Sequence, residues 1–585
     1  MDDMPQNQQP RPKPVRSAAI APAQQSQDKY VKAEQARDKY VEAVVKSNSP
    51  KKVVVAGPGT GKTFLFKRVL HGKRKTLTLT FVNSLVEDLS LELCGISEVR
   101  TLHSFACSTL RLKLFPKLPE VVKEDARLLL GKDLDFDHIF HNRKDDDPHI
   151  PFFKSRKDYY NHYGYADAVF KVVKYFEAKK EKIPTYDQVV VDEFQDFNTL
   201  EVSLIDLLSE KSPILLAGDD DQALYDFKSA SPEHIRQRYS DPASSYEAFS
   251  LPYCSRSTRV IVQAANNIVK AARANGNLTG RINKPYLYFD HKDKDQESDQ
   301  NPRIAYCSFF AAQVPWFIQQ QIEQIARDRR QKFSILIICP TRAQCRSIAA
   351  DLRGKGFQSI EFVEKHDTKE PTLLDGLKLL LEDKGCSLGW RIVSELLLEP
   401  AEFLAVLKRS ASKGAPAFVE LVPAGVKKKV KHILSTLRAI RDGKLLQDSD
   451  RAMLCEEIGL DSHALANDSI KSDISSHSRR VGNPGLRKIP IRVTTIQSSK
   501  GLAEEYVFIT HFDDRYLIKN APKITDREIC NLLVAVTRAR TKLFLISTVT
   551  SKVPTFLDWI SPSCVETLDG AAQATSAKSS PELGT

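Results

Sequence analysis

None of the ten cysteines in this 585-residue chain stands in a C-x-x-C pair. The nearest two, Cys339 and Cys345, begin inside an apolar run that suits a buried thiol. Cysteine spacing therefore gives no zinc site, iron–sulfur cluster or disulfide framework, and fits a reducing, cytoplasmic setting. No run of about 18 apolar residues occurs, so no segment reads as membrane-spanning. The N-terminal stretch MDDMPQNQQPRPKPVRSAAIAPAQQ has proline and glutamine but lacks the apolar core of a signal peptide. It reads as part of a disordered tail over 1–28, matched by a second over 566–585, which is rich in Ala, Ser and Gly. An acidic balance is also missing. The chain has 86 Lys+Arg against 74 Asp+Glu, a net +12 that favours a polyanionic partner.

What is present is an ordinary globular composition, 42% hydrophobic and 27% charged. At roughly 100–200 residues per domain, the length allows about three to five units. Short apolar runs at Val53–Val55, Val189–Val191 and Ile214–Ala217, with a strand-like run at Leu77–Phe81, alternate with helical periodicity. Such runs predict a parallel sheet covered on both faces. The pattern restarts after about residue 250, with strand candidates at Ile335–Cys339, Ile491–Thr495, Tyr506–Thr510 and Leu543–Ser547. Helix candidates are Asp28–Val45, Val260–Val269 and Ala343–Leu352. The stretches from about 110 to 183 and 368 to 488 are more helical, and the second carries the basic run Lys427–Lys431.

Directly after the run Val53–Val55 comes Ala56-Gly57-Pro58-Gly59-Thr60-Gly61-Lys62-Thr63, followed by the amphipathic segment Phe64–Leu70. Strand, glycine loop and helix are the setting of a phosphate-binding loop, with Ala56 at the position usually held by its first glycine. Backbone N–H groups converge on one concavity, and the helix N-terminus adds partial positive charge. Lys62 can reach the β and γ phosphates, and the Thr63 hydroxyl can hold Mg²⁺. The run Val189–Val191 ends in Asp192 and Glu193. Asp192 is a Mg²⁺ candidate, and Glu193 can orient and deprotonate an attacking water.

Several blocks in order resemble the UvrD/Rep-like helicases of superfamily 1. They are Thr78–Asn83 (T-F-T-N in the family), Thr101–Ala106 (T-x-H-x-x-A), Asp192–Asp196 (D-E-x-Q-D), Gly218–Tyr225 (G-D-x-x-Q-x-I-Y), Arg256–Thr258 (R-S-T), Thr495–Leu502 (T-x-H-S-A-K-G-L) and Val534–Ala539 (V-A-x-T-R-A). Ser255 stands where the family has a tyrosine, with Tyr253 as the candidate substitute, and the upstream glutamine aligns near Tyr40.

The resemblance implies an α/β fold of two RecA-like P-loop domains, parallel sheets flanked by helices, each with a mostly helical insertion. Domain 1A is expected over 29–109 and 185–249, insertion 1B over 110–184, domain 2A over 250–367 and 488–565, and insertion 2B over 368–487. ATP with Mg²⁺ would lie between the domains. Gln222 would sense the γ-phosphate, and Arg256 and Arg538 would reach it from the second domain. An arginine in that role contributes about 10³–10⁵ in rate.

The DNA track implied by the family falls on Phe81, Asn83, His103, Tyr225, Phe227 and Thr495. Aromatic stacking there is worth about 1–3 kcal/mol per base. The implied activity is ATP-dependent 3′–5′ movement along single-stranded DNA, with unwinding of tailed duplexes or junctions, in repair, replication or phage defence. An RNA-directed helicase and an ATPase switch within a protein complex are the alternatives. Fewer than 40 residues follow Ser547, so any nuclease is expected on a separate chain.

Overall fold

The computed structural model describes residues 22–81, 83–224, 229–329, 332–363, 370–442, 449, 452, 454, 489–519, 523–549 and 552–568. Its fold is α/β, built on two parallel sheets flanked by helices. In the first sheet, β1 (Lys51–Ala56), β2 (Thr76–Thr80), β4 (Gln188–Val191) and β5 (Ile214–Gly218) are buried almost end to end. The Val- and Leu-rich runs of β1, β4 and β5 have apolar side chains on both faces, which only a sheet covered by helices on both sides can bury, while β2 alternates Leu with buried Thr. The more polar β3 (Glu98–Thr101) and β6 (Glu247–Leu251) take the two edges.

The strand order is β3-β2-β4-β5-β1-β6, with every pairing parallel. This order places β4, β5 and β1 side by side, so the loops leaving their carboxyl ends share one edge of the sheet. Ligands of open parallel sheets bind at that edge.

A small parallel pair, β7 (Tyr253–Cys254) with β8 (Leu287–Tyr288), lies between the two large sheets in the chain. The second large sheet has the order β11-β12-β10-β13-β14-β9-β15 and is likewise parallel throughout. Its strands are β9 (Ile304–Ser308), β10 (Ile335–Cys339), β11 (Ile360–Val363), β12 (Ile491–Thr495), β13 (Glu504–Thr510), β14 (Ala539–Ser547) and β15 (Val565–Thr567).

Several boundaries differ from the sequence reading, three of them at the tails and Phe81. The first helix, Pro22–Lys46, starts inside the stretch read as a tail. Strand β15 takes Glu566 and Thr567 from the other tail by pairing with β9. Strand β2 stops at Thr80 and leaves Phe81 beyond its end.

The two helical stretches, far apart in the chain, share one continuous apolar core with one face of the first sheet. Leu118, Phe153 and Phe176 of the first stretch join Leu377, Trp390 and Phe418 of the second in that core. Buried charges seal the seam. Asp125 accepts from Arg156 Nε (2.9 Å) and pairs with Arg391 Nη2 (2.8 Å), while Arg156 Nη1 donates to the Ser410 carbonyl (3.1 Å). Lys117 pairs with Asp375 nearer the surface at 2.8 Å. Of the basic run, Lys428, Lys429 and Lys431 are exposed on the helix Ala424–Arg441, and Val430 turns into the core. Among the described residues, no helix is long and apolar enough to cross a membrane.

Candidate active site

The loop after β1 turns on Gly59 (φ 71°) and Gly61 (φ 90°), a left-handed backbone that glycine adopts at little cost. Gly61 precedes the helix Lys62–Leu70, and no side chain caps that helix. Its first N–H groups therefore remain available to an anion.

Lys62 Nζ donates to Glu193 Oε1 at 2.7 Å and lies 3.7 Å from Asp192 Oδ1. Burial alone would depress the ammonium, but Glu193 and Asp192 outweigh it and raise its pKa. Burial also pushes up both neighbouring carboxyls. Asp192 reaches about 6, while Lys62 and Lys500 carry Glu193 well below the usual carboxylate range. Glu193 sits at φ 53°, a left-handed conformation uncommon for a glutamate, and Gln195 Nε2 steadies its other oxygen at 2.6 Å.

Gln222 follows β5 in a buried turn. Its Nε2 donates to Asp219 Oδ2 (2.7 Å), its Oε1 accepts from Arg538 Nη2 (2.9 Å), and its carbonyl accepts from Lys500 Nζ (2.5 Å). Both cations come from the second sheet: Lys500 follows β12 and Arg538 precedes β14. Arg538 is preset by the Val534 carbonyl (2.9 Å) and the Leu502 carbonyl (3.1 Å). Burial, with Arg256 nearby, lowers it to about 10, so it remains a cation at neutral pH. Lys500 also grips Asp196 through both carboxylate oxygens, at 2.8 and 2.6 Å. Burial pushes Asp196 up to about 7 against that attraction.

These groups line one cleft of about 700 Å³, with Gly57–Thr63, Asp192, Glu193, Gln222, Arg256, Lys500 and Arg538 in its walls. Ala56 is buried at the end of β1, behind the loop. Ser255 N donates to the Gly59 carbonyl at 3.0 Å, which sets Arg256 against the loop. Tyr40 and Tyr253, the two tyrosines singled out where the sequence departs from the family, meet edge to face with centroids 5.9 Å apart.

Of the residues read as a DNA track, Phe81, His103 and Thr495 do not line this cleft. Phe81 is half-buried, edge-on to Phe197 at 5.7 Å. His103 lies 4.7 Å from the Tyr165 ring, with Nε2 3.2 Å from buried Glu201. Thr495, at the end of β12, is half-buried, and its Oγ1 lies 3.3 Å from Ser498 Oγ. Asn83 opens the helix Asn83–Glu92, but its side chain lies outside the described residues, as do Tyr225 and Phe227.

Asp196 and Lys500 lay inside recognised blocks but carried no assigned role. Lys284, Arg281 and Tyr286 gave no signal in the sequence. The three acids Asp219, Asp220 and Asp221 converge as a cation site would. Lys284 Nζ already sits among them, 2.7 Å from Asp219 and 3.0 Å from Asp221, and also contacts Asp220.

A family model described as an AAA domain matches residues 41–228. DNA helicase II of Escherichia coli (strain K12) is 27% identical over 191 residues, 32% of this chain and 25% of that protein. DNA helicase II of Salmonella typhimurium is 24% identical over 274 residues, 41% of this chain and 35% of that protein. An ATP-dependent helicase/nuclease component of Clostridium beijerinckii is 34% identical over 92 residues, 14% of this chain and 7% of that protein. The matched region thus spans about a third or less of the length of these relatives.

Proposed function

From the premise that this is a UvrD/Rep-like chain of helicase superfamily 1, we propose that it is an ATP-dependent DNA helicase or single-strand translocase, moving 3′ to 5′. The observation that carries the reading is the Gln222 side chain. It is held between Asp219 of one sheet and Arg538 of the other, in the same cleft as Lys62 and Glu193. A group placed so can couple the state of a phosphate to the relation of the two sheets.

The domain assignment given above (1A, 1B, 2A and 2B) is part of this proposal, and so are the site roles. The chemistry of the cleft fits a triphosphate: an uncapped helix N-terminus, Lys62, Arg256 and Arg538 against polyanionic charge. Lys62 exchanges its carboxylate partner for the β and γ phosphates. Thr63 and Asp192 would hold Mg²⁺, which would offset charge on the phosphates. Glu193 takes the proton of the attacking water. Gln222, Arg256 and Arg538 meet the charge that develops on the γ-phosphoryl group.

Single-stranded DNA runs over Phe81, Asn83, His103, Tyr225, Phe227 and Thr495. Tailed duplexes or junctions are the structures unwound, in repair, replication or phage defence inside the cell. The likeness to a helicase/nuclease component supports a nuclease as a partner on another chain.

The test is steady-state ATP hydrolysis with no nucleic acid, with single-stranded DNA and with single-stranded RNA of the same sequence. Strong stimulation by DNA is expected. Stimulation by RNA alone would move the substrate to RNA. Hydrolysis indifferent to both would replace the motor with an ATP switch that answers to a protein.

A further inference from the structure

After the helix Arg259–Ala274 the chain crosses from one sheet's body to the other's. Leu278 packs into the core of the second sheet, and Ile282, four residues on, packs into the core of the first. The strap that follows touches both phosphate-facing loops. Arg281 Nε bonds both oxygens of Asp221 (2.7 and 2.9 Å), and Ile282 N donates to Asp220 Oδ2 (2.9 Å). The Tyr286 hydroxyl donates to the Pro58 carbonyl at 3.0 Å. A Cβ on Gly57 would lie 2.9 Å from the Tyr286 ring, so the phosphate loop rests directly on it. The strap then returns to β8 through the bond from Leu287 N to the Pro252 carbonyl at 2.8 Å.

We propose that this strap is a positioning element for hydrolysis and that Lys284 is its central positioning residue: it fixes Asp219 and, through Asp219, the orientation of the Gln222 amide. This deepens the functional reading above and rests on it.

An amide has one donating and one accepting end. A carboxylate only accepts and a guanidinium only donates, so Gln222 between Asp219 and Arg538 has a single orientation. That orientation requires Asp219 to stay in place. Asp219, Asp220 and Asp221 are all buried, and a buried carboxylate needs a cationic partner. Arg281 serves Asp221, and Arg236 Nε serves Asp220 at 3.2 Å. The cation at Asp219 is Lys284, at 2.7 Å. Its ammonium has three donors for the three acids. Removing it frees Asp219 to turn away, and the Gln222 amide then loses its donor-side anchor. Nucleotide contacts through Lys62 and the loop stay in place.

The experiment measures ATP hydrolysis, nucleotide affinity and thermal stability on the full chain, for the wild type, Lys284→Met, Lys284→Met/Asp220→Asn, Gln222→Ala and Lys284→Met/Gln222→Ala. Lys284→Met is expected to lower kcat by about tenfold or more and shift KM and affinity by less than about threefold. Lys284→Met/Asp220→Asn removes one charge of each sign, so it is expected to recover thermal stability while kcat stays low. In the Gln222→Ala background, Lys284→Met is expected to cost little more, because both changes disable one unit. Three outcomes overturn the proposal: wild-type kcat in Lys284→Met, recovery of kcat together with stability in the Asp220→Asn double variant, or full additivity with Gln222→Ala. A wild-type chain that hydrolyses no ATP would instead overturn the functional reading itself.

Discussion

Lys62 and Glu193 hold each other in the free protein, so each is set up by the other and by burial. Glu193→Gln keeps the shape of the side chain but not its basicity. Nucleotide should still bind, measured by equilibrium titration, while hydrolysis stops; lost binding would make Glu193 a structural residue. Arg538→Ala removes a guanidinium already preset by two carbonyls and bonded to Gln222. Its kcat should fall by about 10³-fold, the lower end expected of an arginine acting on a transferring phosphoryl group. A loss under tenfold would remove Arg538 from the chemistry.

Away from the site, Asp167 is buried, with Oδ1 accepting from Gly164 N (2.7 Å) and Oδ2 unpartnered. Burial raises its pKa well above the usual carboxylate range. The folded protein therefore holds that proton at pH values where the unfolded chain has released it, and stability falls as pH rises from the unfolded value towards the raised one. Asp167→Asn removes that slope. The variant should be the more stable form at pH 8, by an amount on the order of 1 kcal/mol, and lose its advantage near pH 4. Equal melting curves at both pH values would show that Asp167 stays ionised in the fold.

At the scale of elements, the phosphate loop works because backbone and neighbour agree. Gly59 is left-handed, and a Cβ there would collide with the Arg256 side chain, which packs against the loop from beyond β7. Gly59→Ala should therefore abolish nucleotide binding and hydrolysis with little change in circular dichroism. Retained binding would mean that the loop and Arg256 move apart freely. The loop and the acids after β4 could be read from the sequence because their geometry is local: a buried strand, a turn, a helix or a short coil. The edge strands β3, β6, β11 and β15 could not. They are short and half-polar, and only a neighbouring strand makes them strands. Phe81 read as a base-stacking residue and His103 as a strand contact. The partners they have in the fold, Phe197 for one and Tyr165 with Glu201 for the other, lie 60 or more residues away in the chain.

At the scale of the molecule, the two helical stretches pack against one another through a shared apolar core. Asp125 and Arg391 are fully buried and 266 residues apart. Arg391→Met should destabilise the protein by about 3–5 kcal/mol, because it leaves a buried carboxylate with half its compensation. Urea unfolding followed by the fluorescence of Trp390, one residue away, would report it. An unchanged midpoint would show that Arg156 and the Tyr160 hydroxyl satisfy Asp125 without Arg391.

Order along the chain was enough to determine the class of this protein: apolar strands alternating with helices, a glycine loop on the first strand, paired acids on a later one, and the family's blocks in sequence. Those features depend on residues within a few positions of each other, where periodicity and loop chemistry act directly. Tertiary structure decided how the blocks meet. The strand order β4-β5-β1 gathers three loops at one edge. Lys500, Arg538 and Lys284 then reach that edge from elsewhere in the chain and hold Asp196, Gln222 and Asp219. Ion pairs between residues 60 to more than 300 positions apart leave no periodic trace in a sequence, because what selects each partner is the low-dielectric space the fold closes around it.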